Sequence, residues 1–291
     1  MSAITAPAVR GMGGSGWTQF RGRLNSARLH LFVPLTLYLL FTIVPFYWMV
    51  VFAFRPTTSN HPYPWPITLA NFKEVWNVLG FGTFFENSML VGVGVLIGLN
   101  VICAMAGYAL ARFKFAGRSA LILILLCTQF VPGVMLLIPL FVIFRHLGLI
   151  DNLFALIIAD IVFQLPLTSL LMSGFIRNVP VELEEAAMVD GCSRVRAFLS
   201  VTLPLLRPAF VAIGSFAFIG SWNNFLFALM FMSSQNHFTL PVGLDYTIGE
   251  FSVNFGALAA GGLIAAVPVV VIFAFVQKYL VQGLTFGAVK G

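Results

Sequence analysis

The sequence predicts an all-α protein that crosses a membrane six times. Three observations carry that expectation. Of the residues, 59% are hydrophobic and only 9% are charged, whereas soluble domains carry roughly 25% charge. Six apolar runs are each long enough to cross about 30 Å of hydrocarbon as a helix. Lysine and arginine fall almost entirely in alternate connecting segments, as positive-inside topology requires.

The runs lie near Leu31–Phe54, Ser88–Leu110, Ser119–Phe144, Leu153–Phe175, Ala209–Met232 and Ala257–Leu280. With connections numbered alternately, thirteen basic residues fall on one side and only Arg55, Lys73 and Arg145 on the other. The net charge of +6 therefore reports topology, with both termini cytoplasmic, and not a nucleic-acid partner. The first run exceeds a signal-peptide core of roughly 7–15 residues, and no small-residue cleavage site follows it before Arg55. Residues 1–30 read as a mobile cytoplasmic tail, 31–280 as the six-helix membrane domain and 281–291 as a second cytoplasmic tail. Cys103, Cys127 and Cys192 have neither disulfide nor zinc spacing. His30, His61, His146 and His237 are too scattered to form a metal site.

Taken in order, the outward segment after the first run (residues 55–87) is proline-rich and extended, with Tyr63 and Trp65 at the lipid interface. In the second run Gly94-x-x-x-Gly98, with Ala104, Ala106 and Gly107, offers a face for close packing inside the bundle. Pro132 and Pro139 should bend the third run. Asp160 and Gln164 share one face of the fourth. A carboxylate there costs about 2.5–3.5 kcal/mol on insertion scales and must face the bundle or water, so it either lines a path or pairs internally. The polar segment 233–256 suits a loop reaching away from the membrane.

The charge-poor chain concentrates acid in "VPVELEEAAMVDGCSRVRAFLSVTLPLL", residues 179–206. Pro180 suits the first turn of a helix, where its missing N–H costs nothing. Glu182, Glu184 and Glu185 then sit toward the positive end of the helix dipole. Gly191 can end the helix in a left-handed conformation. Ser193 can cap a second helix that stops around Pro204. The loop reads as two short helices hinged at Asp190-Gly191. An anionic leaflet would repel the acidic first helix. A basic groove on a soluble partner would accept it, with Ala186-Ala187 allowing close approach.

"EAAMVDGCSRVRAFLSVTLP" resembles the EAA loop of ABC importer permeases through Glu185, Ala186, Ala187, Gly191, Leu203 and Pro204, with Val201 where isoleucine is commoner. "AGYALARFKFAGR", "IPLFVIFRHLGLIDN", "WNNFLFALMF", "TLPVGL" and "GLTFGAVKG" extend the likeness to the carbohydrate branch. The chain is similar to the second, six-span membrane subunit of the maltose transporter. The resemblance implies a type I importer permease fold in a bacterial inner membrane. It also implies a homologous second permease, two ATPase subunits and an extracytoplasmic sugar-binding protein. The chain lacks a G-x-x-x-x-G-K-[ST] phosphate loop, so ATP and Mg would bind the ATPase and this chain would not be an enzyme. Glu185 would meet a basic residue in an ATPase cleft, with Ala186, Ala187, Asp190, Gly191, Leu203 and Pro204 shaping the joint. Gly283, Gly287, Lys290 and Gly291 would reach between the ATPase subunits, unless that end is disordered.

Thr239, Leu240, Pro241, Val242 and Gly243 would touch the binding protein. Trp222, Asn223 and Asn224 form a sugar-facing set, with Asp160 and Gln164 as further candidates for the path. Interhelical hydrogen bonding by asparagine, worth about 1 kcal/mol, is the alternative, and at Asn224 the family more often carries an acid. Other readings of the whole chain are a permease for polyol phosphate, amino acid or phosphate, or an ion-coupled transporter, for which Asp160 is the lone intramembrane acid.

Overall fold

The computed structural model describes residues 14–288 apart from 57–58, 60 and 249–252, with side chains from 32 to 278. Apart from one isolated bridge between Ile248 and Val253, the regular structure among these residues is helical. The principal helices are α1 (Gly14–Phe54), α2 (Phe81–Arg112), α3 (Arg118–Thr128), α4 (Leu137–His146), α5 (Leu153–Arg177), α6 (Val181–Val189), α7 (Arg207–Trp222), α8 (Leu226–Phe231), α9 (Leu240–Asp245) and α10 (Phe255–Ala288). The apolar lengths of α1, α2, α5 and α10 can each cross a membrane.

Helix directions follow from the contacts that the glycines permit. A Cβ on Gly94 would stand 2.7 Å from Ile157, one on Gly98 2.7 Å from Ile161 and one on Gly107 2.8 Å from Met172. Residue numbers rise together on α2 and α5, so these two helices are parallel. The small residues are what let their backbones approach, as the Gly94-x-x-x-Gly98 spacing leads one to expect. Gly92 meets Phe218 while Gly214 meets Asn100, so α7 is antiparallel to α2. Phe52 packs on Phe255 and Met49 on Gly262, which makes α1 antiparallel to α10. Gly261 beside Phe81 puts the starts of α10 and α2 at one end.

Parallel α2 and α5 require the chain to recross between them. Helices α3 and α4, with the 3-10 turn Gly133–Leu136, therefore form the halves of one crossing, although they meet at 93°. Together with α7–α8 this gives the six crossings of an all-α membrane bundle. The bend differs from the expectation in one respect. Pro132 stands at the break, whereas Pro139 occupies the first turn of α4, where an intrahelical donor is not needed and no kink follows.

Other differences concern the connections. Helix α1 starts at Gly14, so residues 14–30 of the expected tail are helical and lead into the membrane-length stretch Phe32–Phe54; residues 1–13 lie outside the described residues. Helix α10 runs to Ala288, taking in most of the expected C-terminal tail. The fifth apolar run is interrupted after Trp222 and resumes at Leu226. The segment 233–256 does not simply reach outward. Leu240 and Val242 are fully buried, the Leu240 N–H donates to Ser88 Oγ at 2.8 Å, and Gly243 lies against the Phe84 ring.

Two polar clamps hold this end of the bundle. Buried Asn71 donates to the carbonyls of Phe52, Ala53 and Arg55 at 3.0–3.1 Å, closing the end of α1. Asp151, at φ 59°, accepts the N–H groups of Ser233 and Ser234 at 2.9 and 3.0 Å and the Ser234 hydroxyl at 2.7 Å. Those bonds, led by Ser234's, hold its carboxyl well below the usual range.

Candidate functional site

The acidic loop folds as two short helices around a glycine hinge. Pro180 takes the N-cap position of α6. Gly191 adopts φ +93°, a conformation that a Cβ disfavours. The Cys192 N–H returns to the Ala187 carbonyl at 3.0 Å and closes the turn. Ser193 Oγ then accepts the Arg196 N–H at 3.3 Å, capping a helix (Arg194–Ala197) that passes through a π-helical turn (Phe198–Thr202) into the short helix Leu203–Leu205. Leu203 and Pro204 thus lie just before the root of α7.

Helix α6 has two dissimilar faces. Glu182, Glu185, Ala186 and Asp190 are exposed, and Val189 is 87% exposed. On the other face Glu184 is only 4% exposed. Its carboxylate accepts Tyr108 Oη at 2.8 Å, Arg112 Nε at 2.9 Å and Thr202 Oγ1 at 2.7 Å. Arg112 Nη2 stands 2.8 Å from the same carboxylate and also donates to the Val179 carbonyl at 2.8 Å. Burial alone would raise the Glu184 pKa. The hydrogen bonds of Thr202, Tyr108 and Arg112, with the charge of Arg112, outweigh it and hold the carboxyl below its ordinary value.

The network ties three segments together: the last two turns of α2, the buried face of α6, and the turn leading into α7. Sequence reading grouped Glu184 with the exposed acids and missed it. A signal was present, since Tyr108 and Arg112 sit four apart on α2 and face one way. Nothing in sequence spacing tells which of three neighbouring glutamates they meet.

Within the membrane the polar side chains divide. Asp160, 5% exposed, accepts Asn224 Nδ2 at 2.5 Å. Asn224 Oδ1 accepts the Phe227 N–H at 3.2 Å, capping the start of α8. Gln164 reaches the Ala217 carbonyl at 3.5 Å and lies against Gly220. Asn223 is exposed, its amide donating to Ile219 at 2.9 Å. Trp222, named with the expected sugar-facing set, lies inside the bundle. It is 3% exposed, stacks on Phe218, meets Phe85 edge-on and donates to the Ala265 carbonyl at 3.1 Å. Its ring is spent on packing α7 against α10.

The expected binding-protein segment is also largely internal. Thr239, Leu240, Val242 and Gly243 are buried and Pro241 is half-buried, whereas Asp245, Tyr246 and Ile248 are exposed. Packing against α2 explains this: a polar-looking loop supplies the apolar lid over the ends of its helices. Gly283 and Gly287 lie in the last turns of α10; Lys290 and Gly291 fall outside the described residues. Among the described residues no cluster of three or more His, Cys, Asp or Glu could hold a metal ion.

Residues 101–286 match the family described as binding-protein-dependent transport system inner membrane component. Over 254 residues the chain is 37% identical to the diacetylchitobiose uptake system permease protein DasC of Streptomyces coelicolor, covering 86% of this chain and 92% of the relative. It is 34% identical over 261 residues to the trehalose transport system permease protein SugB of Mycobacterium tuberculosis, covering 88% and 95%. Its fold superposes with a TM-score of 0.75 on a chain from a bacterial ABC transporter that imports the acidic polysaccharide alginate, at 22% identity over 93% of this chain and 99% of that one. Six crossings, the two-helix loop and these likenesses agree, and the chain belongs to the family of binding-protein-dependent transport system inner membrane components.

Proposed function

We propose that this chain is a permease subunit of an ABC importer for a carbohydrate, and that α6 is the helix by which an ATPase subunit drives it. The two-faced α6 carries this reading: one face is clamped to the bundle through Glu184, and the other presents Glu185, Ala186 and Val189 to a partner. The relatives named for diacetylchitobiose and trehalose transport support a carbohydrate as the cargo.

The preponderance of basic residues on the Arg112 side supports placing α6 and both termini in the cytoplasm. A second, homologous permease would complete the path. Two ATPase subunits would bind ATP and Mg, and an extracytoplasmic sugar-binding protein would deliver cargo at the Asp151 end. ATPase closure would displace α6 as a rigid body. Because α6 is bonded to α2 and to the turn before α7, that displacement would reach the membrane helices directly and exchange inward and outward openings. The last turns of α10, with Gly283 and Gly287, extend past its membrane-length stretch toward the same side and would reach the ATPase pair, with Lys290 and Gly291 beyond them.

The test uses the full assembly with its binding protein. Glu185→Lys is expected to leave a folded subunit that no longer retains the ATPase or takes up solute. Normal uptake by that variant would sink the assignment.

A further inference from the structure

Two interrupted helices meet beside one stretch of α5. The third crossing is interrupted at Gln129–Pro132 and the fifth at Asn223–Phe225. Gly133, just past the first interruption, faces two rings: a Cβ there would stand 3.5 Å from Phe163 and 3.7 Å from Phe227. Phe163 precedes Gln164 on α5 and Phe227 belongs to the first turn of α8; their ring centroids are 5.0 Å apart. The Asn224–Asp160 bond ties the second interruption to the same stretch of α5.

Interrupted backbone leaves carbonyls without partners. Those of Gln129, Phe130 and Val131, and that of Asn223, accept no backbone hydrogen bond from a described residue. Within a bilayer such groups persist only when they are buried in protein or line a water-filled cavity. The residues that carry them are open on this chain, since Gln129 and Asn223 are exposed and Phe130 is 85% exposed. The contrast is α1, which is also exposed along its apolar length but keeps an unbroken helix, as a lipid-facing helix should. A Gln amide, like other polar groups, has no place against lipid tails and belongs in the bundle or a wet cavity.

We infer that the paired interruptions form a wet contact site for the transported solute, and that they suit an uncharged, polyhydroxylated molecule. This rests on the importer reading above. Free carbonyls accept from hydroxyls, the amides of Gln129 and Asn223 can both donate and accept, and the open ring of Phe130 offers an apolar face to sugar C–H groups. Neither 128–133 nor 220–227 contains Lys, Arg or His, so the site offers no counter-ion to a phosphate or uronate.

The experiment uses the whole assembly in vesicles, with Cys103, Cys127 and Cys192 replaced by Ala and single cysteines placed by Gln129→Cys, Asn223→Cys and, as a lipid-facing control, Phe41→Cys. Phe41 is 81% exposed on α1. A charged methanethiosulfonate reagent should label positions 129 and 223 at least about tenfold faster than position 41, and the ratio should change between nucleotide-free and vanadate-trapped states. Labelling at 129 as slow as at 41 in both states overturns the inference and points to a dry contact with the second permease.

In a parallel arm, Gln129→Leu should lower by about tenfold the carbohydrate taken up per ATP hydrolysed at saturating loaded binding protein, the loss expected for one or two hydrogen bonds in the path. An unchanged value removes the solute-contact role even if the site is wet. If the wild-type assembly takes up no carbohydrate, the carbohydrate reading itself fails, and labelling still decides whether the site is wet.

Discussion

Replacing Glu184 by alanine should injure the protein far more than replacing its neighbour Glu185. The Glu184 carboxylate is buried and takes bonds from Tyr108, Arg112 and Thr202 at 2.7–2.9 Å. Its removal leaves the Arg112 guanidinium, whose side chain is 9% exposed, without its counter-charge. Breaking a buried pair from one side costs about 3–5 kcal/mol. This site lies at a helix end near water, and Arg112 keeps its bond to the Val179 carbonyl, so we expect the lower end, about 3 kcal/mol. Glu185→Ala removes an exposed side chain and should stay within about 0.5 kcal/mol. The assay is thermal unfolding of the detergent-solubilised subunit, followed by tryptophan fluorescence, for the wild type and both variants. A double variant, Arg112→Met with Glu184→Met, should recover much of the loss, because removing both charges removes the unpaired one. Equal destabilisation by the two single alanine variants, or no recovery in the double variant, would refute the clamp.

The same carboxylate predicts an acid limit. Because its folded pKa lies below the ordinary value, Glu184 adds stability that is fully present above the unfolded pKa of about 4.3 and is lost as pH falls through the folded pKa. Melting temperature against pH should therefore drop more steeply below about pH 4 in the wild type than in Glu184→Gln; parallel curves would contradict this. A different part of the fold is tested by Gly243→Ala, whose Cβ would run into the Phe84 ring. Overpacking of this kind costs about 1–3 kcal/mol or more, and an unchanged melting temperature would mean that α9 does not pack on α2 as described.

Sequence alone exposed much of this architecture because a bilayer imposes coarse rules. Run length and basic asymmetry yield the crossings, and Gly94-x-x-x-Gly98 marks a real contact, with Ile157 and Ile161 in the gap it leaves. The Asp190-Gly191 hinge was legible because a left-handed residue has few substitutes. What stayed hidden depends on packing between distant segments. Hydropathy cannot distinguish a straight run from one interrupted at Gln129 or Asn223, since both are equally apolar. A Trp beside two Asn reads as a sugar platform, yet the approach of Ala265 and Phe218 makes Trp222 a core residue. The "TLPVGL" segment looks like an outward loop because nothing in its own residues reveals that Ser88 and Phe84 will receive it.

That α6 is the grip of an ATPase is tested most directly by a photo-crosslinking residue at Ala186, on the exposed face, in the intact assembly. The account predicts a covalent adduct with the ATPase subunit, while the same probe at Tyr246, at the opposite end of the bundle, yields none. An Ala186 probe that captures only lipid, or nothing, in an assembly that still transports would contradict it.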